Sequence, residues 1–263
     1  MDRAYFYAMM SGRGDLDYEA YLNTRQVLTA QKDFDALCNR DELQFQIVHQ
    51  VEELWMKLVA YTLLDIDERI AARETNRALT LFARVHRTLR LMADQLGLLE
   101  TMSPKEYQQI RLQLGNGSGQ ESPGFRTILK MHRPLWQSFD AAYVTGAGRT
   151  LDQIYDTGYG HDDAYMVAEA MTEFDELFQA FRTRHIQLIG RSIGIGAQSL
   201  KGRPVTLLAE GAARRFFPEL WAVRERMTDA WGGAYGRVRD SLDPGARHPA
   251  PAGADIDADG GGN

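Results

Sequence analysis

The sequence is short of the means for cross-linking or for crossing a bilayer. Its single cysteine, Cys38, can close no internal disulfide and build no thiolate cluster, which suits a reducing compartment and makes the cytoplasm the expected location. No apolar run reaches the length of a membrane span, and the amino terminus MDRAYFYAMMSGRGD holds no continuous apolar segment of the signal-peptide kind. Basic excess is missing too: 30 Lys and Arg stand against 36 Asp and Glu, for a formal charge of −6, which argues against nucleic acid as the main partner. There is no HExxH, no cluster of Cys, His and carboxylates, no internal repeat and no convincing strand alternation.

What is present is helical spacing in a chain of 263 residues, 44% hydrophobic, enough for a sizeable core. The expectation is an all-α fold, with one domain over residues 1–240 and a Gly, Pro and Asp-rich disordered tail over 241–263. Leu43, Ile47, Val51, Leu54 and Leu58 form one stripe of a helix over Asp41 to Leu64. Leu79, Phe82, Val85, Leu89, Met92 and Leu96 mark a second helix. Ser103, Pro104 and Glu106 read as a capping box opening a short third helix that ends near Gly115. GNGSGQESPG, Gly115 to Gly124, is too rich in glycine for regular structure and reads as a loop. A helix is expected from Phe125 towards Tyr143, kinked or divided at Pro134, then a connection from Thr145 to Gly160. Met171, Phe174, Leu177, Phe178, Phe181, Leu188 and Ile189 line a long helix from Asp162 to Ile193, and Val205 to Met227 reads as helix interrupted at Pro218.

Three polar groups interrupt the apolar faces. His49 follows Phe45 by one turn; such a histidine is commonly a satisfied core residue, and otherwise a ligand or a substrate contact. Arg111 follows Tyr107 by one turn on the short helix, beside Ile110 and Leu114, with no acidic residue a turn away. Its guanidinium needs either a distant ion pair or snorkelling, or a ligand carboxylate held by its two-pronged fork. His185 lies between Phe181 and Ile189 on the stripe of the longest helix and requires a hydrogen-bond partner or a metal. One histidine in apolar surroundings suffices for haem, since the porphyrin brings the other four donors, though structural histidines are far commoner.

Taken together, four blocks resemble the haem-dependent tryptophan 2,3-dioxygenase family: YEAYLNTRQVLTAQ from Tyr18, DELQFQIVHQVEELWMKL from Asp41, LETMSPKEYQQIRLQLGNGSG from Leu99, and FRTRHIQLIGRSIG from Phe181 with RRFFPEL from Arg214 downstream. The resemblance implies a helical bundle of that type with haem b between helices, ferrous in its active form, and dioxygen as co-substrate. It implies that His185 is the proximal iron ligand and that His49 is the distal, catalytic residue reading the indole N–H, with Phe45 on the ring. By the same resemblance Arg111 and Tyr107 hold the substrate carboxylate, and Leu114, Ser118 and Gly119 line the pocket. Ser199 stands where the family usually has a threonine against the substrate. Tyr18 and Tyr21 close the pocket from a neighbouring subunit of a homotetramer, a dimer being the other arrangement weighed.

The chain departs from the family in that serine and in a shortened stretch between Phe125 and His185. The expected reaction is insertion of dioxygen across the indole C2–C3 bond of L-tryptophan, giving N-formylkynurenine. Monooxygenation of tryptophan or a substituted tryptophan to a 2-oxindole is the alternative, with phenol hydroxylation of a tyrosine-like substrate behind it. A haem-binding sensor without turnover is the alternative of another class.

Overall fold

Three long helices form the frame in the computed structural model, which describes residues 2–115, 117, 119–157, 159–198 and 211–235. They are α4 (Glu42–Ala71), α5 (Thr75–Leu99) and α9 (Asp163–Ile193). Preceding them are the short helices α1 (Arg3–Met10), α2 (Asp17–Leu22) and α3 (Thr24–Leu28), which bury none of their residues. Between the long helices lie α6 (Pro104–Leu114), α7 (Pro123–Tyr143) and α8 (Leu151–Tyr155), and α10 (Pro218–Tyr235) follows. Among the described residues there is no strand, and no helix is long and apolar enough to cross a membrane.

The core fills the seam where α5 packs between α4 and α9, with α7 against α4. Phe82, Val85, Leu89, Met92 and Leu96 of α5 are buried, as their spacing predicts, and share the core with Met171, Phe174 and Phe178 of α9; Leu79 of the same stripe is half-buried, and Leu81 is buried in addition. In α4 the buried face is a different one from the predicted stripe. Val48, Met56, Val59, Leu63, Ile66 and Ile70 point inward, whereas Ile47 and Leu54 are 42% and 53% exposed. A helix with apolar residues on two faces can bury either, and α5 takes the one that runs the full length of α4.

Two prolines bear on where these helices run. Pro134 removes one N–H from α7, yet the helix runs through it unbroken, because Ile128, Leu135 and Phe139 on either side are fully buried and hold the axis. The expected interruption lies just ahead of Pro218, over residues 213–217, after helical residues 211–212. Pro218 opens α10, at the position where a missing N–H leaves no bond unmade. Ser103 caps α6 by accepting the N–H of Glu106 at 3.4 Å, with Pro104 at the first turn; only this serine half of the expected capping box forms. The connection from Thr145 contains α8 and a 3-10 turn, Thr145–Ala147. The expected tail over 241–263 and residues 205–210 lie outside the described residues.

A polar rack on α9 receives the returning chain. Asp175, fully buried, accepts the N–H groups of Phe216 at 2.9 Å and Phe217 at 3.3 Å and the indole N–H of Trp221 at 2.9 Å, all on Oδ2. Two turns on, Arg182 donates to the carbonyls of Gly211 at 2.9 Å and Arg214 at 2.7 Å and stacks on Phe178 and Phe216. The quoted stretch RRFFPEL is thereby fastened to the helix one turn ahead of His185.

Candidate functional site

The site forms where the first half of α4, the end of α6, the turn before α7 and the last third of α9 meet. On α4, Phe45 and His49 are one turn apart and their rings lie 4.0 Å apart, centroid to centroid. The Nδ1–H of His49 donates to the carbonyl of Phe45 at 2.7 Å. A carbonyl can only accept, so the proton is on Nδ1 and Nε2 is left as a bare acceptor. Burial pulls the His49 pKa below the ordinary histidine value, against the Phe45 carbonyl and the Glu53 carboxylate, which raise it. The ring is therefore neutral near pH 7.

Tyr107 brings a second aromatic ring to within 6.3 Å of Phe45, and burial raises its phenol pKa while Arg111 lowers it. Arg111, half-buried, donates through Nη2 to the carbonyl of Gln198 at 2.8 Å and through Nη1 to Gln108 Oε1 at 3.4 Å. The first contact ties α6 to the residues that follow α9, and the second is long. Among the described residues no carboxylate pairs with it, and the fork of the guanidinium suits an anionic group. The position of α6 is set from α4's side: Asn39 Nδ2 donates to the carbonyl of Glu106 at 3.0 Å and to Gln109 Oε1 at 2.9 Å.

His185 faces this group from α9. Burial, with a smaller contribution from His49, pulls its pKa down to about 4. Its ring has no hydrogen-bond partner among the described residues, although part of it remains accessible. A neutral imidazole on a helix whose flanking Phe181 and Leu188 are buried, with no hydrogen-bond partner among the described residues, is the donor that a single-histidine haem site needs. The donor chemistry fits haem, whereas no group of three or more His, Cys, Asp or Glu among the described residues could hold a bare metal ion. Gly119 lies on the ring edge: a methyl group there would come 3.4 Å from Cε1 and 3.9 Å from Nε2. Anything coordinated at Nε2 therefore needs the Gly119 turn, a 3-10 turn over Gly119–Glu121 that the loop reading did not foresee, to stand off from the ring.

Phe45, His49, Tyr107, Arg111, Gly119 and His185 are thus gathered from three parts of the sequence. Leu114 is 42% exposed on the last turn of α6, and Tyr18 and Tyr21 of α2 are 71% and 87% exposed. Ser118 and Ser199 lie outside the described residues. The sequence reading passed over Glu53, which accepts the N–H of Gly124 at 3.0 Å, and over Glu52, a buried carboxyl one position before it. Two adjacent acids inside the apolar stretch IVHQVEELW were the available signal. Their partners are too far along the chain to be read from spacing.

The family model described as tryptophan 2,3-dioxygenase matches residues 7–131. The tryptophan 2,3-dioxygenase of Myxococcus xanthus (strain DK1622) is 28% identical over 264 residues, covering 82% of this chain and 91% of the relative. That of Kineococcus radiotolerans is 28% identical over 259 residues, covering 80% and 91%. The enzyme of Erythrobacter litoralis (strain HTCC2594) is 28% identical over 262 residues, covering 80% and 98%. These aligned spans exceed the residues that this chain contributes to them, so the relatives carry segments it lacks.

Proposed function

This chain belongs to the tryptophan 2,3-dioxygenase family, and on that premise we propose that it adds both atoms of dioxygen across the indole C2–C3 bond of L-tryptophan. That bond breaks, each carbon keeps one oxygen as a carbonyl, and the product is N-formylkynurenine. Haem b, when bound and ferrous, supplies the dioxygen chemistry that no side chain here offers. His185 would hold it.

The observation that carries the reading is the tautomer of His49. With Nδ1–H engaged by the Phe45 carbonyl, Nε2 can accept one hydrogen bond, and the indole N–H is a donor only. Phe45 supplies an aromatic face at the same place, and Arg111 a cation for the α-carboxylate. Substrate is thereby fixed at both ends, and the two ring carbons are presented in one orientation, which is where the rate gain from positioning arises. No base strong enough to ionise the indole is needed or present; His49 orients the ring and helps to exclude water.

The remaining assignments follow from the same reading. Leu114 and Gly119 line the pocket, and the resemblance adds Ser118 and Ser199 to the substrate contacts. Tyr18 and Tyr21 complete it from a neighbouring subunit in a homotetramer. Support for self-association comes from the outer face of α4, where Ile47, Leu54, Tyr61 and Leu64 are 42 to 65% exposed, the first three at seven-residue spacing, and from the exposed Tyr5, Phe6, Met9 and Met10 of α1. Residues 1–240 act as one helical domain, working in the cytoplasm, where the exposed thiol of Cys38 stays reduced.

The test is to supply haem, L-tryptophan, dioxygen and reductant to the purified protein and weigh the product. Gain of two oxygen atoms supports the reading. Gain of one, or a Soret band without turnover, overturns it.

A further inference from the structure

One carboxylate joins the histidine-bearing helix to the turn on the other side of the site. Glu53 follows His49 by one turn on α4, and its Oε2 accepts the N–H of Gly124, 71 residues on, at 3.0 Å. Gly124 is the second residue of α7 and has no room for a side chain: a Cβ would lie 2.6 Å from Met56 Cβ and 2.9 Å from Glu53 Oε2. Ser122 caps the same helix start, its Oγ accepting the Phe125 N–H at 3.0 Å and lying 4.0 Å from Met56 Sδ. Upstream, the N–H of Ser122 donates to the carbonyl of Gly119 at 3.2 Å, and Gly119 packs on the edge of His185. A short run of bonded backbone thus leads from Glu53 to Gly119, at the edge of the His185 imidazole.

We infer that Glu53 is a positioning residue: through the Gly124 N–H it anchors the Gly119–Gly124 turn to α4 and so sets the gap between His49 and the pocket wall at Gly119. Its role is reach and acceptance of a hydrogen bond, with contact to neither substrate nor cofactor. The Glu53 carboxylate also faces His49 closely enough to raise its basicity, so a role through charge is the rival explanation. The inference rests on the dioxygenase reading, in which Gly119 lines the substrate pocket.

Three variants separate the two roles. Glu53→Gln keeps the reach and an acceptor oxygen without the charge. Glu53→Asp keeps the charge but draws the oxygen back by one methylene. Glu53→Ala removes both. The expected result on the haem-loaded enzyme is a KM for L-tryptophan raised about ten-fold in the Asp and Ala variants and restored close to wild type in Gln, with kcat changed much less. Amide hydrogen exchange at Gly124 should follow the same order: fast in Asp and Ala, slow in Gln and wild type. Should Glu53→Ala fail to fold, the comparison of Asp with Gln decides alone. A KM preserved in Asp and raised in Gln overturns the inference in favour of charge, and unchanged exchange in all three overturns it outright. A wild-type protein without turnover sinks the dioxygenase reading while leaving the Gly124 exchange comparison intact.

Discussion

Replacing Glu52 by glutamine should remove a pH dependence from the stability of the fold. Glu52 is 5% exposed on the inner face of α4, and among the described residues neither of its carboxyl oxygens has a partner in hydrogen-bond geometry, nor has the neighbouring Gln95 Nε2 on α5. Burial pushes its pKa up from 4.5 to about 8, with Gln95 opposing the shift and Glu53 adding to it. The unfolded chain releases this proton near pH 4.5 and the folded one retains it to about 8, so between those values the native state binds more protons. Stability is then fully present below the lower value and falls as pH rises through the upper one. Each unit of the window removes about 1.4 kcal/mol, and the whole window is worth on the order of 5 kcal/mol. Carboxyls held below their usual range, such as Glu42 against Lys32 and Cys38 or Asp152 against Arg226, act in the opposite sense on the acid side, and they are common to both proteins. The assay is urea unfolding of wild type and Glu52→Gln from about pH 5 to about pH 9, taking the difference in unfolding free energy at each pH. The glutamine variant should gain steadily on wild type as pH rises. A level difference, or one that moves the other way, would refute an uncompensated buried carboxyl.

Other outcomes follow from the same geometry. His185→Ala should abolish the Soret band of haem-reconstituted protein while circular dichroism shows the helices intact. His49→Ala should lower kcat/KM for L-tryptophan about ten-fold, the worth of one hydrogen bond, without abolishing turnover, as steady-state kinetics would show. Arg111→Lys should raise KM nearly as far as Arg111→Ala, because an ammonium cannot reproduce the two-pronged grip on a carboxylate; equal KM for Lys and wild type would remove the clamp. Asp175→Ala leaves three donors without their acceptor, removes the negative charge near Arg182, and should cost about 3–5 kcal/mol in denaturant unfolding.

What could be read from the sequence was whatever is encoded over one or two helical turns. The apolar face of α5 repeats cleanly from Phe82 to Leu96, with polar residues opposite, and it is the face that packs. Phe45 and His49 were legible as a pair because four residues make one turn, and the resemblance attached roles to them. Along α4 the spacing was ambiguous, since Ile47, Leu54 and Tyr61 repeat as regularly as Met56, Leu63 and Ile70, and only the neighbouring helices choose between the faces. Contacts made across the chain left no local trace. Glu53 with Gly124, Arg111 with the Gln198 carbonyl and Asp175 with Trp221 are 71, 87 and 46 residues apart, and two of the three use backbone groups that every residue has. Helices α1 to α3 bury nothing, so no periodic core face announced them.

Because the side chains of Asp175, Gln179 and Arg182 bond directly to residues 211–221, the two sides of that grip need not be one covalent chain. A backbone cut placed between positions 198 and 211 should leave a nicked protein whose pieces co-elute in size-exclusion chromatography and part only in denaturant. The carboxyl-terminal helix is, in that sense, a docked ligand of α9.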